Sequence, residues 1–223
     1  MKPVFIICIS LLLLAGCQQT DNKAILKAHY TVVAANANRW SDHYTAAAAW
    51  QNLYALDNTN AAMLDSAFWA YSRIPNYKAT AALGKDLLRA HVKHEMFMAA
   101  LTTSLKENGE YQACIDAARI HVTLSTDTMP DYYTMALCFM ELKQYPNAIG
   151  YMGRVLADTS SLRQLVVVKG QNVPYYAAAL NVIGISEIKQ GNMANGIKAF
   201  NAAVKAYPNF TAVKNNLNAI KGM

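Results

Sequence analysis

His91, His94 and Glu95 fall within the run His91-Val-Lys-His94-Glu95. Two imidazoles and a carboxylate at that density could ligate zinc. The spacing does not make the H-E-x-x-H pattern, because Met98 stands where its second histidine would be. The cluster reads instead as polar residues that cap and turn the chain, and no metal site is expected. His121 lies among apolar residues and reads as a packed core histidine. Cys114 and Cys138 are 24 residues apart. They could form a disulfide if their Cα atoms came within about 7 Å, or remain two small buried thiols. No G-x-S-x-G elbow, P-loop or dinucleotide-binding glycine pattern is present. The acids are few, 14 in the whole chain, and scattered. The residues argue against an enzyme, and no cofactor is expected.

A further residue with chemistry is Cys17, at the end of LLLLAGC (11–17). Lys2 is the only charge in residues 1–16, and an apolar run from Val4 to Leu14 follows it. A membrane-spanning helix needs about 20 apolar residues, so this run is too short. Charged start, short apolar middle and small-residue exit describe a secretory signal peptide. Leu14-Ala15-Gly16-Cys17 resembles the bacterial lipobox at all four positions. That resemblance implies cleavage before Cys17, diacylglycerol on its sulfur and anchorage to a membrane. Two or three acyl chains hold a protein far better than one. Gln18 is not the aspartate that retains such lipoproteins at the inner membrane, so the expected location is the outer membrane, facing the periplasm.

The mature chain would be 207 residues, Cys17 to Met223, with the charge of +6 reduced to +5 by loss of Lys2. It contains no block of five Lys or Arg, so no nucleic-acid partner is expected.

The body is rich in Ala, Leu, Met and Asn, with only 10 Gly and 6 Pro, which favours an all-α chain. NYKATAALG (76–84), EYQACIDAA (110–118) and QYPNAIGYM (144–152) align on Tyr77, Tyr111 and Tyr145, 34 residues apart each time. NMANGIKAF (192–200) follows after 34 plus a 14-residue insertion. Two columns of this alignment are small: Ala46, Thr80, Cys114, Ala148, Gly196, and Ala34, Phe68, Thr102, Ala136, Gly184, with Phe68 the exception. Small residues belong where paired helices press closest. Phe68 is expected to fill space that Gly84 leaves.

The period, the columns and the final unit, with Leu180, Ile183-Gly184, Gly191, Phe200, Ala203 and Pro208, resemble the tetratricopeptide repeat. That resemblance implies a right-handed α-solenoid of about five helix–turn–helix repeats. They are set at 27–60, 61–94, 95–128, 129–162 and 177–210, with an insertion at 163–176 and a capping helix at 211–223. Residues 1–16 are the signal peptide and 17–26 a short tether.

The family's concave groove would be lined by Arg39, Asp65, Trp69, Arg73, Lys106, Tyr133, Leu137, Met140, Asn181, Ile185 and Ile188. It would run from a basic end to an apolar one that suits a protein or peptide partner. The lysine–asparagine clamp of carboxylate-binding members is absent. Leu165-Val-Val-Val168 in the insertion is expected to extend a helix or fold over the groove. The leading functional reading is a lipid-anchored, non-catalytic scaffold that serves outer-membrane, pilus or secretion assembly. The alternative is a surface-exposed glycan-capture lipoprotein, which would display stacking Trp and Tyr.

Overall fold

The computed structural model describes the backbone of residues 4–222 and the side chains of residues 22–222. Cys17 and the expected signal peptide, residues 1–16, therefore lie outside the residues with described side chains. No described helix is long and apolar enough to cross a membrane. The chain divides into two compact units, residues 1–92 and 93–223.

The first unit holds α1 (Val4–Arg39), α2 (His43–Leu56), α3 (Ala61–Ser72) and α4 (Tyr77–Arg89), each packed on the next. Short polar residues start these helices by accepting a free backbone N–H. Asp42 accepts from Thr45, Asn60 from Ala62 and Asn76 from Ala79. The core is built from alanines. Ala37, Ala46, Ala47 and Ala70 meet between α1, α2 and α3, flanked by Trp50 and Tyr71. Ala34, Ala49 and Leu53 form a second cluster beneath Tyr30, Val33 and Met63. Phe68 is the large exception and is fully buried, and Gly84 is buried too.

The second unit holds α5 (Glu95–Glu107), α6 (Tyr111–Val122), α7 (Met129–Glu141), α8 (Tyr145–Ala157), α9 (Tyr175–Lys189), α10 (Met193–Ala206) and α11 (Thr211–Lys221). Helices pair in chain order, each on its successor. Its core uses large side chains: Phe97, Met98, Leu101, Ile115, Met129, Met135, Phe200 and Phe210 are fully buried. Both small columns are buried along their whole length, from Ala34 and Ala46 to Gly184 and Gly196. The closest approach is between α9 and α10. A Cβ on Gly184 would sit 2.5 Å from the Phe200 ring, and one on Gly196 would sit 2.9 Å from the Gly184 carbonyl oxygen and collide with Ile188.

The insertion does not extend a helix. A 3-10 turn at Thr159–Leu162 leads into a hairpin of β1 (Leu165–Val168) and β2 (Gln171–Pro174). The strands are antiparallel, with Leu165 opposite Pro174 and Val168 opposite Gln171. Three consecutive valines favour the strand, and Lys169 and Gly170 turn it with φ of 48° and 78°. Val173 is buried beneath the hairpin, which packs on α9. Gln171 ties it to the α10–α11 turn, donating to the Asn209 carbonyl at 2.6 Å and accepting from the Thr211 N–H at 3.1 Å. The segment is thus a strand hairpin rather than a helical extension.

Candidate partner-binding site

In the second unit, α9, α10 and α11 line an open apolar cavity of about 220 Å³. Ile185 and Ile188 line it from α9, Phe200 from α10, and Ala219 and Ile220 from α11, with Lys189 and Asn216 as its polar members. The opening arises from α11. Its first turn is sealed by Ala212 and Val213 beside Phe210, while its later residues are mostly exposed. Asn216 donates to the Asn181 side-chain oxygen at 3.0 Å and so pins α11 to α9. Of the residues expected to line a groove, Ile185 and Ile188 share this cavity. Asn181 does not present itself to a partner, because it is buried and engaged by Asn216.

A second cavity, of about 230 Å³, is lined by Lys106, Glu107, Tyr111, Leu137, Cys138 and Glu141. Lys106 and Leu137 meet here, with Lys106 Nζ 2.9 Å from Glu107. Met140 is half-buried and lines neither cavity. Tyr133 is buried, with the Tyr175 ring edge-on at 5.2 Å, and burial pushes its hydroxyl above the ordinary tyrosine range. It is a core residue of the α7–α9 contact. The family average could not anticipate this, because Tyr175 comes from the end of the insertion.

In the first unit, Arg39 and Arg73 are exposed, while Asp65 and Trp69 are half-buried. Trp69 meets the Phe68 ring edge-on at 5.1 Å. The cavity of about 190 Å³ in this unit uses other residues: Val33, Asn36, Ala37, Trp40, Asp42 and Thr45. Trp40 is 73% exposed there. A tryptophan two residues before the α2 cap was the available signal, and the groove positions passed over it.

The histidines separate cleanly. His94 caps α5, its Nδ1 accepting from the Phe97 N–H at 3.3 Å. His91 is exposed in the preceding turn at φ 65°. Among the described residues no group of three metal-ligating side chains forms. His121 is buried, but it is more than packing. Its Nδ1 lies 2.9 Å from both carboxylate oxygens of Asp131, joining α6 to α7. Burial raises the Asp131 carboxyl above its ordinary range, with the His121 hydrogen bond opposing it. The sequence hid this pair because its members sit on different helices.

A tetratricopeptide repeat family model matches residues 183–209, the α9–α10 unit. The fold is an all-α solenoid of helix–turn–helix units of tetratricopeptide type, interrupted by the hairpin. It is similar to the crystal structure of MamA protein, with TM-score 0.60, 17% identity, and coverage of 81% of this chain and 91% of that one. It is also similar to YrrB, described as a tetratricopeptide protein with an unusual peptide-binding site, with TM-score 0.65, 15% identity and coverage of 85% and 90%. MamA from Desulfovibrio magneticus RS-1 gives TM-score 0.57 at 11% identity, covering 83% and 97%. No curated protein sequence matches the chain.

Proposed function

We infer that the protein is a non-catalytic scaffold that captures a protein or peptide partner, held to the bacterial cell envelope by acylated Cys17. The α9–α11 cavity carries the reading. It gathers five apolar side chains around about 220 Å³, with Lys189 and Asn216 to orient an incoming chain. Preformed apolar pockets with a few polar groups are what a partner's anchoring side chain fills. The peptide-binding site of a protein with a similar fold supports the same use. A place on the periplasmic side of the outer membrane, in building outer-membrane proteins, pili or secretion pores, belongs to this reading.

Affinity purification from membranes, with the wild type and Ile188→Glu side by side, tests it. The variant is expected to recover its partner at least about tenfold less well, a loss of roughly 1.4 kcal/mol, with helicity unchanged. Equal recovery would rule the cavity out. Cys17→Ser is expected to move the protein from the membrane pellet to the soluble fraction, and a pelleted variant would remove the anchor.

One observation favours a second reading, glycan capture at the cell surface. Trp40 is exposed beside Asn36, Asp42 and Thr45, an aromatic platform rimmed by polar groups. Protease shaving of intact cells separates the two readings: digestion indicates surface display and protection the periplasmic side.

A further inference from the structure

The hairpin that interrupts the repeats has two unlike edges. Its sheet has two strands, so β1 and β2 each have one strand neighbour among the described residues. Just outside the paired strands, the Tyr175 N–H donates to the Gln164 carbonyl oxygen at 3.0 Å. In an antiparallel ladder, hydrogen-bonded and non-hydrogen-bonded pairs alternate. Counting from Gln164 opposite Tyr175, the bonded pairs are Val166 with Val173 and Val168 with Gln171. Leu165 opposite Pro174 and Val167 opposite Asn172 are the other kind, whose N–H and C=O groups point away from the neighbouring strand. Pro174 stands at a position where the ladder needs no donor, as this register requires.

The outer edge of β2 is blunted. Pro174 has no N–H to offer there, and the Gln171 side chain ties the strand to the α10–α11 turn. The outer edge of β1 is intact, with the N–H and C=O groups of both Leu165 and Val167 turned outward. The side chains repeat this asymmetry. The face that holds Val166 and Val173 packs on α9, where Val173 is fully buried. Leu165 and Val167 lie on the opposite face, 57% and 65% exposed, and Leu162 before them is 58% exposed. The solvent face of an antiparallel sheet is ordinarily polar. Here it is apolar, beside an edge that can still pair. Exposed Arg163 and Lys169 bracket β1, and from Thr159 to Ser186 the chain has no acidic residue.

We propose that β1 is a docking edge for an extended apolar segment of a partner protein, which adds as a third strand and sets acidic residues against Arg163 and Lys169. Main-chain bonds to a sheet edge supply affinity in this mode of recognition, and alternate side chains supply specificity. An antiparallel partner strand would carry apolar residues opposite Leu165 and Val167 and acids opposite Arg163 and Lys169. Two other occupants fit less well. When two copies of the chain pair antiparallel with Leu165 of one opposite Val167 of the other, Arg163 faces Lys169 at both ends, and like charges directly opposite destabilise. A bilayer would cover the apolar side chains but leave the outward N–H and C=O groups unpaired. The proposal holds whatever occupies the α9–α11 cavity.

The probe is a fluorescein-labelled heptapeptide with glutamate at both ends, valine at its third and fifth positions and threonine elsewhere. Titration with the purified full-length chain is expected to raise its anisotropy to saturation. Hydrogen exchange at the Leu165 and Val167 amides, fast in the free protein, is expected to slow when the peptide is added. N-methylation of the two valines removes the peptide's pairing donors and is expected to weaken binding at least about tenfold. Val167→Asp, at an exposed position, is expected to abolish binding with helicity unchanged. Arg163→Glu together with Lys169→Asp is expected to reverse the preference, towards a peptide with lysine at both ends. Equal binding of the methylated peptide would overturn the proposal, as would no binding or unchanged exchange at the two amides. So would protection of those amides by phosphatidylglycerol vesicles, or by self-association of the chain, in place of the peptide.

Discussion

The α9–α10 pair, a contact within one repeat, and the α6–α7 pair, a contact between successive repeats, are built on opposite chemistry. Between α9 and α10 the contact is apolar and backbone-close, with two glycines, Phe200 and Ile188 interlocked. Between α6 and α7 the buried face carries a histidine–aspartate pair and two thiols. Helical hairpins stack through small residues at fixed positions, and α9–α10 meets that demand with Gly184 and Gly196 where α5–α6 uses Thr102 and Cys114. Regular positions therefore mark the scaffold, and the departures from them mark where ionisable groups have been placed in the interior.

Breaking the regular pair should cost most. Phe200→Ala removes a buried ring seated against Gly184, and is expected to cost about 3–5 kcal/mol by chemical denaturation. Phe68→Ala makes the same test in the alanine-built unit, where the ring is equally buried, and is expected to fall in the same range of about 3–5 kcal/mol. An unchanged melting temperature there would dismiss its role beside Gly84. Gly196→Ala adds one methyl group at the α9–α10 contact and should cost about 1–3 kcal/mol by overpacking.

The polar pair is sharpened by pH. Asp131 has its carboxyl raised by burial, so its contribution to stability is fully present below the ordinary 3.8 and is lost as pH rises through the raised value. Asp57 shows the reverse case. The Lys27 ammonium at 2.7 Å, with Thr59 assisting, holds it at about 2. Its contribution is present above 3.8 and is lost as pH falls towards about 2. Denaturation curves across acid pH should therefore change in opposite senses for Asp131→Asn and Asp57→Asn. Changes of the same sign would mean that burial does not govern Asp131.

Much of the helical frame was legible in the residues. The 34-residue spacing of Tyr77, Tyr111 and Tyr145 marks the starts of α4, α6 and α8, and the small columns are buried. These are local, periodic signals. The hairpin was not legible, because a run of valines fits a strand, a buried helix end or a covering loop until Lys169 and Gly170 are seen turning it. At the candidate site, Ile185 and Ile188 fell in one cavity, whereas Tyr133 and Asn181 were taken inward by Tyr175 and Asn216. Those two partners lie outside the repeats that set the groove positions. The His121–Asp131 pair and the Cys114–Thr102 hydrogen bond depend on how neighbouring helices meet, which no single-helix pattern encodes.

Partner capture through the α9–α11 cavity is tested most directly by photo-crosslinking in living cells. A photoreactive phenylalanine analogue replaces Ile188 in one strain and the exposed Lys198 of α10 in another. The expected result is one discrete adduct from position 188, diminished by Ile185→Glu in the same chain, and none from position 198. Identical adducts from both positions, or an adduct from 188 that Ile185→Glu leaves untouched, would contradict the cavity as the place where a partner binds.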